Sequence, residues 1–198
     1  MILRSLFRPI LFSAVFAGAV VLTPQLLCAA QTQPTNPSAE SLLHQAEVEA
    51  RAGHKSILVE FGASWCVNCH LYERMLATPQ MHAILSRYFV FLPMDTGEMP
   101  MSLRHQNTPG GTALEDSIGG KGAGWPYIAV LNDRGQLLVN SMRPDAKVAG
   151  GHTNIGYPVL PQEIDWFMTM LRRGAPKMTA SEQTQVRNWL EAEAKKIS

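Results

Sequence analysis

Cys66 and Cys69 stand two residues apart in the run Trp65-Cys66-Val67-Asn68-Cys69. That spacing closes so small a loop that a disulfide between them adds little stability to a fold, so the pair is read as chemistry. The run sits where an apolar strand gives way to a helix. A thiolate at a helix N-terminus meets free backbone N–H groups and the positive end of the helix dipole. Both favour the anion, which is the nucleophile in disulfide exchange. Cys66, nearer the helix start, is the attacking sulfur in such an arrangement, and the deeper Cys69 resolves the mixed disulfide. Glu60 interrupts the apolar strand six residues before Cys66. It is expected to be buried, with a raised pKa that suits it to accept a proton from Cys69.

Two other chemistries use the same residues. Cys66-Val67-Asn68-Cys69-His70 fits the pattern by which c-type haem is attached, although it follows a buried strand, and the attachment leaves Glu60 unexplained. Cys66, Cys69 and His70 with Met94, Met99 and Met101 could instead hold Cu(I), a soft ion suited to thiolate and thioether. Met94 in a strand is expected to be core, and His70 is placed on the first helical turn, near the rim of the site. His105 and His152 lie in irregular segments and read as solvated. The Gly pairs at 110–111, 119–120 and 150–151 lack the strand-then-helix setting of a nucleotide site. The dithiol chemistry needs no cofactor.

The elements that must position these residues follow from periodicity. Asn36 and Ser38 can cap a helix with Leu42, Leu43, Ala46 and Ala50 on one face, ending at Gly53. Ile57 to Phe61 reads as a buried strand, and a helix from Cys66 carries Leu71, Met75 and Leu76. Thr78-Pro79 ends that helix and starts another with Ile84, Leu85 and Tyr88 apolar. Tyr88 to Met94 reads as a second strand. The segment 97–124 is either a functional loop or holds a short helix. Tyr127–Leu131 and Gln136–Asn140 flank an Asn132-Asp133-Arg134-Gly135 turn, hence a hairpin. After an irregular stretch, 141–160, come an amphipathic helix with Ile164, Phe167, Met168 and Leu171 on one side, closed by Gly174, and a last helix. That last helix opens on the capping-box spacing Thr179 to Glu182, with Val186, Trp189 and Leu190 apolar. Trp166 and Trp189 read as core or packing aromatics. The order predicts an α/β fold with a mixed sheet and helices on both faces.

The stretch Ile57 through Cys69 resembles the second strand and active site of thioredoxin-fold thiol–disulfide oxidoreductases, and the acidic residue, the Ala and the Trp match position by position. Thr78-Pro79-Gln80-Met81, Phe89-Val90-Phe91-Leu92 and Asp95 are similar to the branch containing the periplasmic C-terminal domains of DsbD-type reductases. Gly124-Trp125-Pro126-Tyr127 resembles the family's cis-proline loop. The resemblance spans about residues 40 to 172. It implies a thioredoxin fold with an expanded loop before the cis-proline and an extra C-terminal helix. It further implies that Pro126 is cis against the dithiol, and that Trp65, Trp125 and Pro126 contact substrate. The backbone of Trp125 would pair with an extended chain. Trp125 stands where the family carries a smaller residue, Phe91 replaces a lysine near the buried acid, and the helix after the dithiol lacks a kinking proline. The implied partners are disulfide or dithiol proteins and a membrane thiol donor, with the reducing direction favoured.

The chain has 198 residues, 46% apolar and 17% charged, with a formal charge of +1. This suits a globular domain and offers no basic footprint for nucleic acid. Residues 1–30 read as a secretory signal: Arg4 and Arg8, an apolar run from Pro9 to Leu22, and small residues at Cys28 and Ala30 before Gln31. The apolar run is short for an uncleaved membrane anchor, and bulky Leu27 disfavours acylation at Cys28. Cleavage removes two arginines and no acid, turns the charge slightly negative, and leaves Cys66 and Cys69 as the only cysteines. Periplasmic location, a linker over 31–37, a thioredoxin-like domain over 38–174 and a helical extension over 175–198 complete the expectations.

Overall fold

The computed structural model describes residues 36–102 and 105–197. The expected signal segment and most of the linker lie outside the described residues. Helix α1 (Ala39–Gly53) is capped by Ser38, whose hydroxyl accepts from Ser41 N–H, and His54 takes the left-handed C-cap position. Strand β1 (Ser56–Gly62) is buried along its whole length. Helices α2 (Val67–Ala77) and α3 (Pro79–Leu85) lead into β2 (Phe89–Asp95). Thr78 precedes α3 without capping it through its side chain; the hydroxyl instead donates to Arg74 C=O, closing the end of α2. On α2 Cys69, Tyr72 and Met75 are buried, and Leu71 and Leu76, half-buried, pack against the core that holds Tyr72 and Met75.

The long segment after β2 contains α4 (Gly111–Ser117). Strands β3 (Tyr127–Leu131) and β4 (Leu137–Asn140) form the expected hairpin. Asn132 Oδ1 accepts from the N–H groups of Arg134 and Gln136, and Gly135 supplies the positive φ that the turn requires. The 141–160 stretch is more ordered than its composition suggests. It holds a second, two-stranded sheet of β5 (Met142–Pro144) and β6 (His152–Asn154). These strands are only three residues long, too short to show a period.

Helix α5 (Pro161–Gly174) ends against the sheet: a Cβ on Gly174 would meet Val130 Cγ1 at 2.5 Å. In α6 (Ala180–Ile197) the predicted capping box is present. Glu182 N–H donates to Thr179 Oγ1 (3.3 Å), while the Glu182 carboxylate accepts from Thr179 N–H (2.7 Å). Among the described residues no helix is long and apolar enough to cross a membrane.

The main sheet runs β2-β1-β3-β4, with β1 parallel to β2 and the other pairs antiparallel. Alternation along β1 divides the core. Ile57, Val59 and Phe61 join Ala46 and Ala50 of α1 on one face. Leu58 faces Tyr72 and Met75 of α2, Phe167 of α5, and Val186 and Leu190 of α6 on the other. Both faces are covered, and α6 shares the second core. This is the thioredoxin fold.

Candidate active site

Parallel pairing of β1 and β2 brings Gly62 level with Asp95, so the residues that follow each strand meet at one end of the sheet. Cys66 is the N-cap of α2, with extended backbone (φ −80°, ψ 109°), and its Sγ accepts from Cys69 N–H at 3.1 Å. A sulfur in this position collects an N–H that the helix leaves unpaired. Cys66 and Cys69 are joined as a disulfide with their Cα atoms 5.2 Å apart. Both are buried, Cys69 the more completely.

Glu60 lies beneath them, 5% exposed, with Oε1 accepting no hydrogen bond. Burial pushes its pKa up to about 8, and the carboxylates of Glu73 and Asp95 add to the rise. Gly62 stands between acid and sulfur: a single methyl there would come within 3.0 Å of Cys69 Sγ and 3.8 Å of Glu60 Oε1. On the other side Glu60 borders a cleft of about 260 Å³ walled by Leu58, Leu76, Phe91 and Leu92, with Glu73 and His82 also lining it. Phe91 occupies the wall where the family lysine is expected, and the charged neighbours that shift Glu60 are the carboxylates of Glu73 and Asp95. Tyr72, fully buried, also leaves its hydroxyl unbonded, and its pKa rises through burial and the nearby Glu60.

The peptide bond between Trp125 and Pro126 is cis, and Trp125 packs on the cluster of Ala63, Cys66 and Cys69. Trp65 and Trp125 meet edge to face, ring centroids 5.8 Å apart. Each indole N–H is held by the segment after β2: Trp65 donates to Gly97 C=O (2.9 Å) and Trp125 to Thr96 Oγ1 (3.1 Å). Trp65 and Val67 are 48% and 71% exposed, leaving an apolar rim beside the sulfurs. His70 reaches back to this loop: Nε2 lies 2.8 Å from Ser64 O and Nδ1 3.1 Å from Glu73 Oε2. Both neighbours are pure acceptors, so the doubly protonated ring satisfies both, and the pKa of His70 rises, mostly through Glu73.

All six residues singled out from the sequence, Glu60, Trp65, Cys66, Cys69, Trp125 and Pro126, gather at this end of the sheet. The residues of the copper reading scatter. Met94 is buried in β2, Met99 and Met101 are exposed in the following loop, and both nitrogens of His70 face other groups. Among the described residues, no group of three or more His, Cys, Asp or Glu is arranged to hold a metal. Sequence reasoning missed Thr96, Gly97 and Glu98. The backbone N–H groups of Thr96 and Gly97 both donate to Gly62 C=O, and Glu98 accepts from Ser64. The signal was their place directly after a strand parallel to the one that ends at the dithiol.

Fold and site together define a thioredoxin-fold protein with a paired-cysteine centre at the head of α2. Residues 39–132 match the family model described as thioredoxin-like. No curated protein matches it. Among solved structures it is similar to a disulphide isomerase from Xylella fastidiosa Temecula1 at 17% identity and a TM-score of 0.45, covering 83% of this chain and 98% of that one. It is also similar to a DsbH oxidoreductase (19% identity, TM-score 0.37, 63% and 81% covered). A third is a thioredoxin-fold protein from Helicobacter pylori (11%, 0.37, 73% and 86%).

Proposed function

We propose that this chain is an exported thiol–disulfide oxidoreductase that reduces disulfides in protein substrates through Cys66 and Cys69. The observation that carries the reading is the stacking of three features: a disulfide whose outer sulfur caps a helix, a sequestered carboxyl beneath the inner sulfur, and a Trp-Pro loop beside both. In the reduced protein the Cys66 thiolate attacks one sulfur of a substrate disulfide. A mixed disulfide forms, and the other substrate sulfur leaves as a thiolate. Cys69 then gives its proton to Glu60 and attacks Cys66 Sγ, which expels the second substrate thiolate. Two electrons pass from the dithiol to the substrate, and the Cys66–Cys69 disulfide remains.

Glu60 serves as the proton acceptor because its raised pKa lies close to that of a thiol. Trp65, Trp125 and Pro126 form the substrate contact. The reducing direction agrees with Val67 and Asn68, which place no charge between the cysteines to destabilise the disulfide. A thiol donor in the membrane returns the protein to its dithiol form, and residues 1–30 direct it to the periplasm. The test is a pair of variants. Cys66→Ser abolishes exchange, whereas Cys69→Ser accumulates covalent complexes with substrate that dithiothreitol releases. Full exchange activity in Cys66→Ser would remove the assignment.

A further inference from the structure

The two-stranded sheet between β4 and α5 has one side chain aimed at the Trp-Pro loop. Asn154, the last residue of β6, places Nδ2 3.2 Å from Ala123 O, 3.0 Å from Gly124 O and 3.1 Å from Pro126 O. One amide thus gathers the carbonyls on both sides of Trp125 and passes over Trp125 itself. The N–H and C=O of Trp125 make no hydrogen bond among the described residues.

Asn154 is firmly held in turn. Its Oδ1 accepts from Gly156 N–H (3.3 Å), and its strand pairs with Met142 of β5. The following residue, Ile155, donates its N–H to Ser141 C=O (3.0 Å). Ser141 is completely buried and grips β3: its N–H donates to Ile128 C=O (2.8 Å), and its Oγ accepts from Ile128 N–H (3.0 Å). The clamp is therefore anchored to the central sheet.

We propose that Asn154 is a positioning residue for substrate recognition, turning the unpaired backbone of Trp125 outward beside the dithiol as a docking edge for extended polypeptide. This rests on the exchange activity proposed above. The chemistry of the side chain suits the task. A primary amide brings N–H donors to a cluster of acceptors, a carboxylate in its place would face three carbonyl oxygens, and an apolar residue would leave those oxygens without a donor. An unpaired N–H and C=O along an exposed chain is what an incoming strand pairs with. Trp125 lies against the Cys66–Cys69 cluster, so a strand docked there passes the sulfurs.

The experiment compares two disulfides, insulin in turnover with dithiothreitol re-reducing the protein and dithiobis(nitrobenzoate) in a single turnover of the reduced protein. Dithiobis(nitrobenzoate) has no polypeptide backbone, and insulin presents its disulfides on chain. Asn154→Asp, and Asn154→Ala as a variant that introduces no charge, are expected to lose tenfold or more in kcat/KM on insulin. The loss should be carried by KM, with the nitrobenzoate reaction kept within twofold of wild type. An equal loss on both disulfides, which marks a merely structural role, overturns the proposal, as does an unchanged KM for insulin. Wild-type protein inert towards both disulfides would instead remove the exchange activity itself, and this inference with it.

Discussion

Glu98 accepts two hydrogen bonds from Ser64 across 34 residues of chain, one from the backbone N–H and one from the hydroxyl at 2.9 Å. Ser64 lies in the turn between β1 and the first sulfur, where its N–H has no partner in secondary structure. A carboxylate is a strong acceptor for such a donor. Glu98 is itself buried, and its own N–H donates to Asn107 Oδ1 at 2.7 Å. The active-site turn is thereby fastened to the expanded loop by charge-assisted bonds.

Removing that carboxylate strands a polar group. Glu98→Ala should destabilise the fold by about 1–3 kcal/mol, the range for a buried donor left unsatisfied. Glu98→Gln, which keeps an acceptor, should cost less. Urea titrations of the two variants against wild type measure the difference. Identical midpoints for Glu98→Ala and wild type would mean that Ser64 is satisfied by water and that the fastening carries no weight.

The buried acid makes stability depend on pH in a definite direction. The pKa of Glu60 rises from 4.5 to about 8, mainly through burial and then through Glu73 and Asp95. The folded protein therefore holds this proton where the unfolded chain has released it, so stability falls as pH climbs from about 4.5 towards 8. Glu60→Gln should flatten that slope and leave the variant more stable than wild type at the alkaline end by a few kcal/mol. Denaturation curves at several pH values in this window decide it. A slope unchanged by the substitution would show that Glu60 ionises freely.

Much of this arrangement was legible from the residues because it depends on local patterns. The strand with Glu60 inside it, the helix opening at Cys66 and the Asn132–Gly135 turn each carry their own signal, and so does the Thr179–Glu182 box. The unread parts depend on residues brought together from far along the chain. Glu98 meets Ser64 only because β1 and β2 run parallel, and no period marks an acid in a Gly-rich loop. Asn154 reaches Pro126 from a three-residue strand, too short to show a period of its own. The first helix ends at Gly53 as its glycine suggests, and the left-handed cap falls on the next residue, His54.

Glu182 latches the final helix to the domain. Its carboxylate accepts from Thr179 Oγ1 (2.6 Å) and Tyr88 Oη (2.8 Å) and pairs with Arg87. The Thr179 hydroxyl, its backbone N–H, Tyr88 and Arg87 together lower the pKa of Glu182 to about 2. The stabilisation is thus present above the ordinary carboxyl pKa of 4.5 and is lost as pH falls towards 2. Thr179→Ala should cost about 1 kcal/mol, as loss of a helix cap does. Glu182→Gln should blunt the acid unfolding limb, as followed by circular dichroism. An acid midpoint equal to that of wild type would show that the latch is open in solution.

Gly62 offers the sharpest test of how acid and sulfur communicate. Its backbone is extended and free of strain, so Gly62→Ala adds only a methyl. That methyl would lie 3.0 Å from Cys69 Sγ and 3.4 Å from Cys69 Cβ. The contact with Sγ is tight, so Cys69 must give way by a few tenths of an ångström, at a cost of about 1–3 kcal/mol for overpacking. The methyl also fills the space through which a proton would pass from Cys69 to Glu60. Reduced protein mixed with dithiobis(nitrobenzoate) releases one nitrothiobenzoate on attack by Cys66 and a second when Cys69 resolves the complex. Gly62→Ala should slow the second release severalfold while leaving the first near the wild-type rate. If Glu60→Gln slows the second release and Gly62→Ala does not, the proton reaches Glu60 by a path that avoids Gly62; if neither slows it, Glu60 is not the acceptor.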